Sequence, residues 1–141
     1  MINSRKIEYL HPHVQELCER FLDECKKSEV DVIITSTYRD IESQNILFAQ
    51  GRTAAGNIVT NARGGQSFHN YCVAFDIVPL RNGKPVWNDD LLWSSLGHIG
   101  KMCGLDWAGD CKTFKEKAHF QFTGGLSLRD FQNGKTLEVK A

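Results

Sequence analysis

The chain has 141 residues, 41% of them hydrophobic, which supplies one ordinary core and leaves no room for a second domain of comparable size. Seventeen basic and seventeen acidic side chains cancel, so no general field draws the molecule to nucleic acid or an anionic membrane, and recognition has to be local. The opening residues, MINSRKIEYLHPHVQELCERF, contain no apolar run of signal-peptide length, and no later run is long enough to span a bilayer. The expectation is a monomeric product made in the cytoplasm, without membrane insertion. The five cysteines, Cys18, Cys25, Cys72, Cys103 and Cys111, are odd in number and irregularly spaced, which suits reduced thiols better than a disulfide framework.

In chain order, Val14, Leu17, Cys18, Phe21, Leu22 and Cys25 recur at three- and four-residue steps after Pro12, which predicts a helix from about His13 to Lys27. Asp31 to Arg39 is rich in β-branched residues and too short for a competing helix, so it reads as a buried strand. Asp40 is a candidate N-cap for a second helix carrying Ile41, Ile46, Leu47 and Phe48, which Gly51 ends. Arg52 to Gln66 is rich in Gly, Ala, Asn and Thr without a sustained period and reads as a long loop, which inside a compact domain is usually either functional or disordered. Val73 to Leu80 reads as a second strand, followed by the turn signal Arg81-Asn-Gly-Lys84. Asn88 or Asp89 caps a third helix bearing Leu92, Leu96, Ile99 and Cys103, with Gly104 at its end. Trp107 to Lys117 reads as irregular, before a short strand around His119 to Phe122. The pattern is α+β, with three helices on a small, mainly antiparallel sheet, in a single domain spanning 1–141.

Metal-competent side chains stand beside strands in two places, Ser67-Phe-His69 through Asp76, and Glu116-Lys-Ala-His119. Two imidazoles and one carboxylate make a familiar zinc set that leaves a fourth position for water, and a further carboxylate is then needed as base. Glu116, three residues before His119, is the natural candidate. Taken singly, each residue also has a plainer reading: a hydrogen-bonded histidine, a strand-end carboxylate paired with a cation, and a solvated charged run around Lys115 to Lys117.

Ser67-x-His69-x-x-Cys72-x-Ala74-x-Asp76 resembles the SxHxxGxAxD signature of the VanY-like, or M15, zinc metallopeptidases, which include D-Ala-D-Ala carboxypeptidases and L-alanyl-D-glutamate peptidases. Ser36-Thr-Tyr-Arg39 with Gln44 is similar to that family's S-x-Y-R…Q block, and Glu116-x-x-His119 to its second motif. Segments around Gly51, Ile58 and Trp107-Ala-Gly-Asp110 resemble the bacteriophage endolysin branch. The resemblance implies a hedgehog/DD-peptidase-like fold and Zn2+ held by His69, Asp76 and His119. It also implies Glu116 as general base and Arg39 on the substrate side, where a guanidinium can clamp a carboxylate or steady an oxyanion. Ser67 and Gln44 would orient loop and ligands.

The substrate it implies is the stem peptide of bacterial peptidoglycan, cut between L-Ala and D-Glu, with action at the host cell wall after membrane permeabilisation and no separate wall-binding domain. The alternatives are a D-Ala-D-Ala carboxypeptidase and a non-catalytic zinc-containing wall-binding domain. Cys72 departs from the signature glycine. A left-handed backbone there costs a side chain roughly 1–2 kcal/mol, and a thiol near the metal would close or alter the site.

Overall fold

The computed structural model describes residues 1–111 and 115–138. Helix α1 (Pro12–Lys27) opens on a proline, whose missing N–H costs nothing in the first turn. Of the predicted stripe it buries Val14, Leu17, Cys18, Phe21 and Cys25, with Leu22 partly buried against the core. Strand β1 (Asp31–Ser36) is followed by α2 (Ile41–Ala49), where the Asp40 side chain accepts the Ser43 N–H as the cap expected of it. Strand β2 (Ala74–Arg81) turns through Asn82 and Gly83, both at positive φ (55° and 76°), into β3 (Lys84–Pro85). Helix α3 (Asp90–Met102) is capped by Asp89, which resolves the alternative with Asn88. Strands β4 (Asp106–Trp107) and β5 (His119–Gln121) complete an antiparallel sheet of order β1-β2-β5-β4, with β3 paired to the far end of β2.

Three expectations need correction. The first strand ends at Ser36, not Arg39, because the register with β2 shifts between Ile34 and Ser36 and the chain turns away, and it is not buried as expected but lies at the sheet edge with Ile33 exposed. The stretch read as irregular from Trp107 begins with the end of β4, and residues 112–114 within it lie outside the described residues. A fourth helix, α4 (Leu128–Gln132), is added to the three expected; five residues are too few to show a helical period.

Strand periodicity separates core from site. On one face of the sheet, Phe75 and its cross-strand partner Phe120 stack with ring centroids 5.8 Å apart, and Phe21 of α1 packs on both at 6.0 and 4.8 Å. Trp93 and Leu96 of α3 are buried in the same cluster. Asp76 and His119, one residue along each strand and directly paired, necessarily share the other face.

Glycine sets how closely α3 approaches this layer: a Cβ on Gly100 would run into the Phe120 ring, and one on Gly97 into the Trp107 ring. Gly100→Ala is therefore expected to lower stability by about 1–3 kcal/mol through overpacking, although alanine is the better helix former by about 1 kcal/mol. A urea midpoint equal to or above that of the parent would show that the ring yields without cost.

Candidate metal centre and active site

His69 sits in a 3-10 turn, Phe68–Tyr71, whose start is locked by reciprocal bonds. Ser67 Oγ accepts the His69 N–H, and Asn70 Oδ1 accepts the N–H groups of Ser67 and Gly65. Asn70 Nδ2 donates to the Arg39 carbonyl at 2.8 Å, and the Arg39 N–H donates to the His69 carbonyl at 3.1 Å. The turn ends on Cys72 in the left-handed conformation, φ 64° and ψ 24°. The backbone that the signature's glycine would ease is thus present here with a side chain on it, at a cost of about 1–2 kcal/mol. Burial raises the Cys72 thiol above its ordinary value, so it stays protonated. It does not join the cluster that His69, Asp76 and His119 form.

The three expected ligands converge. His69 Nδ1 lies 2.8 Å from the Thr37 carbonyl, which can only accept, so this nitrogen carries the proton and Nε2 the lone pair. His119 Nε2 lies 2.8 Å from Gln121 Oε1, which by the same reasoning leaves the lone pair on Nδ1. Both lone pairs face one atom: Asp76 Oδ1 is 3.1 Å from His69 Nε2 and 3.3 Å from His119 Nδ1. The candidate ligand atoms all lie within 4.8 Å of one another, and both histidines are buried. Three acceptors aimed at one small volume repel unless a cation stands among them, either a proton or a metal ion. This donor set fits a metal, and the outer acceptors on the two rings are the supports that metal-binding histidines normally carry.

Burial alone would raise the Asp76 carboxyl and lower the His119 imidazole. The proximity of His69 and His119 instead holds Asp76 well below the usual carboxylate range, and the hydrogen bond that a protonated His119 Nδ1 donates to Asp76 favours the imidazolium and lifts His119. Arg39 is 8% exposed. Its guanidinium donates to Gln44 Oε1 at 2.7 Å and Ser36 Oγ at 3.1 Å, and stands 3.7 Å from Asp76 Oδ2. Burial lowers its affinity for a proton, opposed by the charges of Asp76 and Glu116. Gln44 in turn donates to the Ala62 carbonyl at 2.8 Å, connecting Arg39 to the long loop. Arg39 therefore lies behind Asp76 as part of a buried network.

Glu116 is half-buried, and its backbone is held by an N–H bond to the Ala108 carbonyl and by its carbonyl accepting the His119 N–H, both at 3.2 Å. Trp107 Nε1 donates to the Lys117 carbonyl at 2.7 Å and fixes the same segment. The Glu116 carboxylate is near enough to contribute to the shifts of both Arg39 and His119, and it lines an open groove of about 570 Å³ between the 60–66 loop and α4. Asp110 is paired with Lys101 at 2.8 Å. Arg52 and Arg63 stack on Phe48, with Arg52 also donating to loop acceptors at Thr60 and Asn61. Neither Thr37 nor Gln121 was legible beforehand: the first contributes only a backbone carbonyl to the site, and the second acts through ring orientation.

The chain is 36% identical over 121 residues to the peptidoglycan L-alanyl-D-glutamate endopeptidase CwlK of Bacillus subtilis (strain 168), covering 79% of this chain and 72% of that one. Its fold is similar to that of the Serratia marcescens L-Ala D-Glu endopeptidase ChiX, with a TM-score of 0.62 and 21% identity over 89% of this chain and 86% of that one. A variant of the vancomycin resistance D,D-pentapeptidase VanY in complex with Zn(II) gives a TM-score of 0.61 at 15% identity, over 88% of this chain and 78% of that one. Residues 7–124 match the family described as VanY, D-alanyl-D-alanine carboxypeptidase, and with the turn, paired strands and polar cluster all inside that span, the chain belongs to this family.

Proposed function

We propose that the protein is a zinc-dependent endopeptidase of bacterial peptidoglycan that cuts the L-Ala–D-Glu bond of the stem peptide. The observation that carries the chemistry is the convergence of His69 Nε2, Asp76 Oδ1 and His119 Nδ1, with Glu116 on the adjoining groove. The choice of bond is supported by the 36% identity to the L-alanyl-D-glutamate endopeptidase of B. subtilis. An open groove also suits a substrate whose chain continues on both sides of the cut.

Zinc held by His69, Asp76 and His119 would supply Lewis acidity to the scissile carbonyl and to the attacking water. Glu116 takes the proton from that water and returns it to the leaving amine. Glu116 lines the groove but is not among the residues whose ligand atoms converge, which suits a base better than a ligand. Thr37 and Gln121 hold the two rings in the required tautomers. Arg39, expected on the substrate side, lies behind Asp76 instead and acts by holding Oδ2, which leaves Oδ1 turned toward the imidazoles. A second reading, a carboxypeptidase that removes terminal D-Ala, is favoured by the description of the matching family. Among the described residues no helix is long and apolar enough to cross a membrane.

Digestion of purified sacculi is expected to expose D-Glu amino termini and to release peptides while the glycan strands stay intact. Free D-Ala as the sole product would establish the carboxypeptidase instead. Glu116→Gln should keep its zinc while turnover drops about 10²–10⁴-fold; near-normal turnover would place the base elsewhere.

The metal assignment has its own measurements. His69→Ala and His119→Ala should each lose zinc, and full occupancy in both would refute it. Gln121→Leu, which removes only the outer acceptor of His119, should weaken zinc binding about 10–100-fold with the fold intact. Because Asp76 lifts His119 in the metal-free protein, its protonated form competes with zinc below that raised value. Zinc affinity should therefore fall as pH drops through the His119 titration and level off above it, with proton release on binding. Calorimetry in buffers of different ionisation enthalpy reads both effects, and a flat profile across the histidine range would contradict the assignment.

A further inference from the structure

The groove beside Glu116 carries a second charged side chain for which the proposed chemistry has no use. Arg129 lines it from α4, is exposed, and among the described residues has neither an ion pair nor a hydrogen bond to another side chain. Of the other cations near the site, Arg39 is committed to Asp76, Gln44 and Ser36, Arg52 and Arg63 to the face of Phe48, and Lys117 to Asp90, while Lys115, beside Glu116, does not line the groove.

The platform under Arg129 is fixed. Ser127 and Asp130 cap α4 reciprocally. The buried Phe131 stacks on Tyr71 at 5.5 Å and meets Phe68 edge-on at 6.0 Å, the two aromatic residues that end the turn carrying His69. Gln132 Nε2 donates to the Gly65 carbonyl at 2.9 Å, joining α4 to the opposite wall. The position of Arg129 is thus coupled to that of a candidate metal ligand.

Charge decides what this arginine is for. Asp76 and Glu116 make the region hostile to a substrate carboxylate, and the described lining offers one cation to offset them. Amides at Asn61, Gln66 and Gln132 suit a peptide backbone. A residue spans only about 3.3–3.6 Å along an extended chain, so a carboxylate on the residue next to the scissile bond lies within the same groove as the base.

We propose that Arg129 is a specificity-determining residue that binds the free α-carboxylate of the D-Glu residue, so that stem peptides amidated at this carboxyl are poorer ligands. The inference rests on the L-Ala–D-Glu reading for the identity of that residue. A guanidinium–carboxylate pair is lost on amidation, and charge-assisted bonds of this kind correspond to about 10–100-fold in affinity.

The test is binding without turnover, using the full-length, zinc-loaded Glu116→Gln protein and two tripeptides, L-Ala-γ-D-Glu-L-Lys and its D-isoglutamine counterpart. Titration calorimetry should show the free carboxylate bound about tenfold or more tighter. Adding Arg129→Gln should bring the ratio close to one, and Arg129→Lys, which keeps the charge but not the fork, should leave an intermediate ratio. A ratio near one in the parent, an unchanged ratio in the Arg129→Gln protein, or no binding of either peptide would overturn the proposal. Cleavage of sacculi at another bond would overturn the bond assignment alone, because the binding ratio does not depend on where the enzyme cuts.

Discussion

Asp76 Oδ1 stands 3.1 Å from one imidazole nitrogen and 3.3 Å from another, and the surrounding architecture keeps three mutually repelling acceptors at that separation. No single element could do so. The pairing of Asp76 with His119 across β2 and β5 sets two of the three, and a one-residue slip of either strand would turn its ligand candidate away from the other and into the aromatic core. The third comes from outside the sheet, on a turn clamped at its start by Ser67 and Asn70 and bonded through its backbone to Arg39.

Polar groups buried this deeply are tolerated only when their remaining hydrogen-bonding capacity is met. The outer nitrogen of each ring has an acceptor, and the far oxygen of Asp76 has Arg39. Arg39 itself is tied to Gln44, and through Gln44 to the long loop. Except for Arg39 Nε, which is buried without a hydrogen-bond partner among the described residues, the cluster is one connected network whose unmet charge is concentrated where the three ligand candidates converge. The stability it costs is offset on the opposite face of the sheet, where Phe21, Phe75, Phe120 and Trp93 are fully or almost fully buried.

Much of this was legible in the order of residues, and the limits of that legibility are physical. The stripe from Val14 to Cys25, the cap at Asp40 and the Asn82-Gly83 turn are local signals, and they appear where expected. The spacing from His69 to Asp76 and from Glu116 to His119 is also local; by itself it left each residue a plainer reading, and its resemblance to the family signature is what named the three ligand candidates. Strand β4 has two residues and α4 has five, too short to show a period. Thr37 contributes through its carbonyl, which every residue type possesses. The groove needs the 60–66 loop to meet α4, an approach sealed by contacts between residues as distant as Gly65 and Gln132.

That last contact makes α4 a detachable part of the design. The helix contributes no strand to the sheet and no candidate ligand, and it is secured by one aromatic plug and one amide bond. Its outward residues can change identity while the hydrolytic machinery stays as it is. Lineages facing cell walls of different chemistry would then diverge first along this short helix and last in the paired strands, and grafting it between relatives offers a way to retarget such enzymes without rebuilding them.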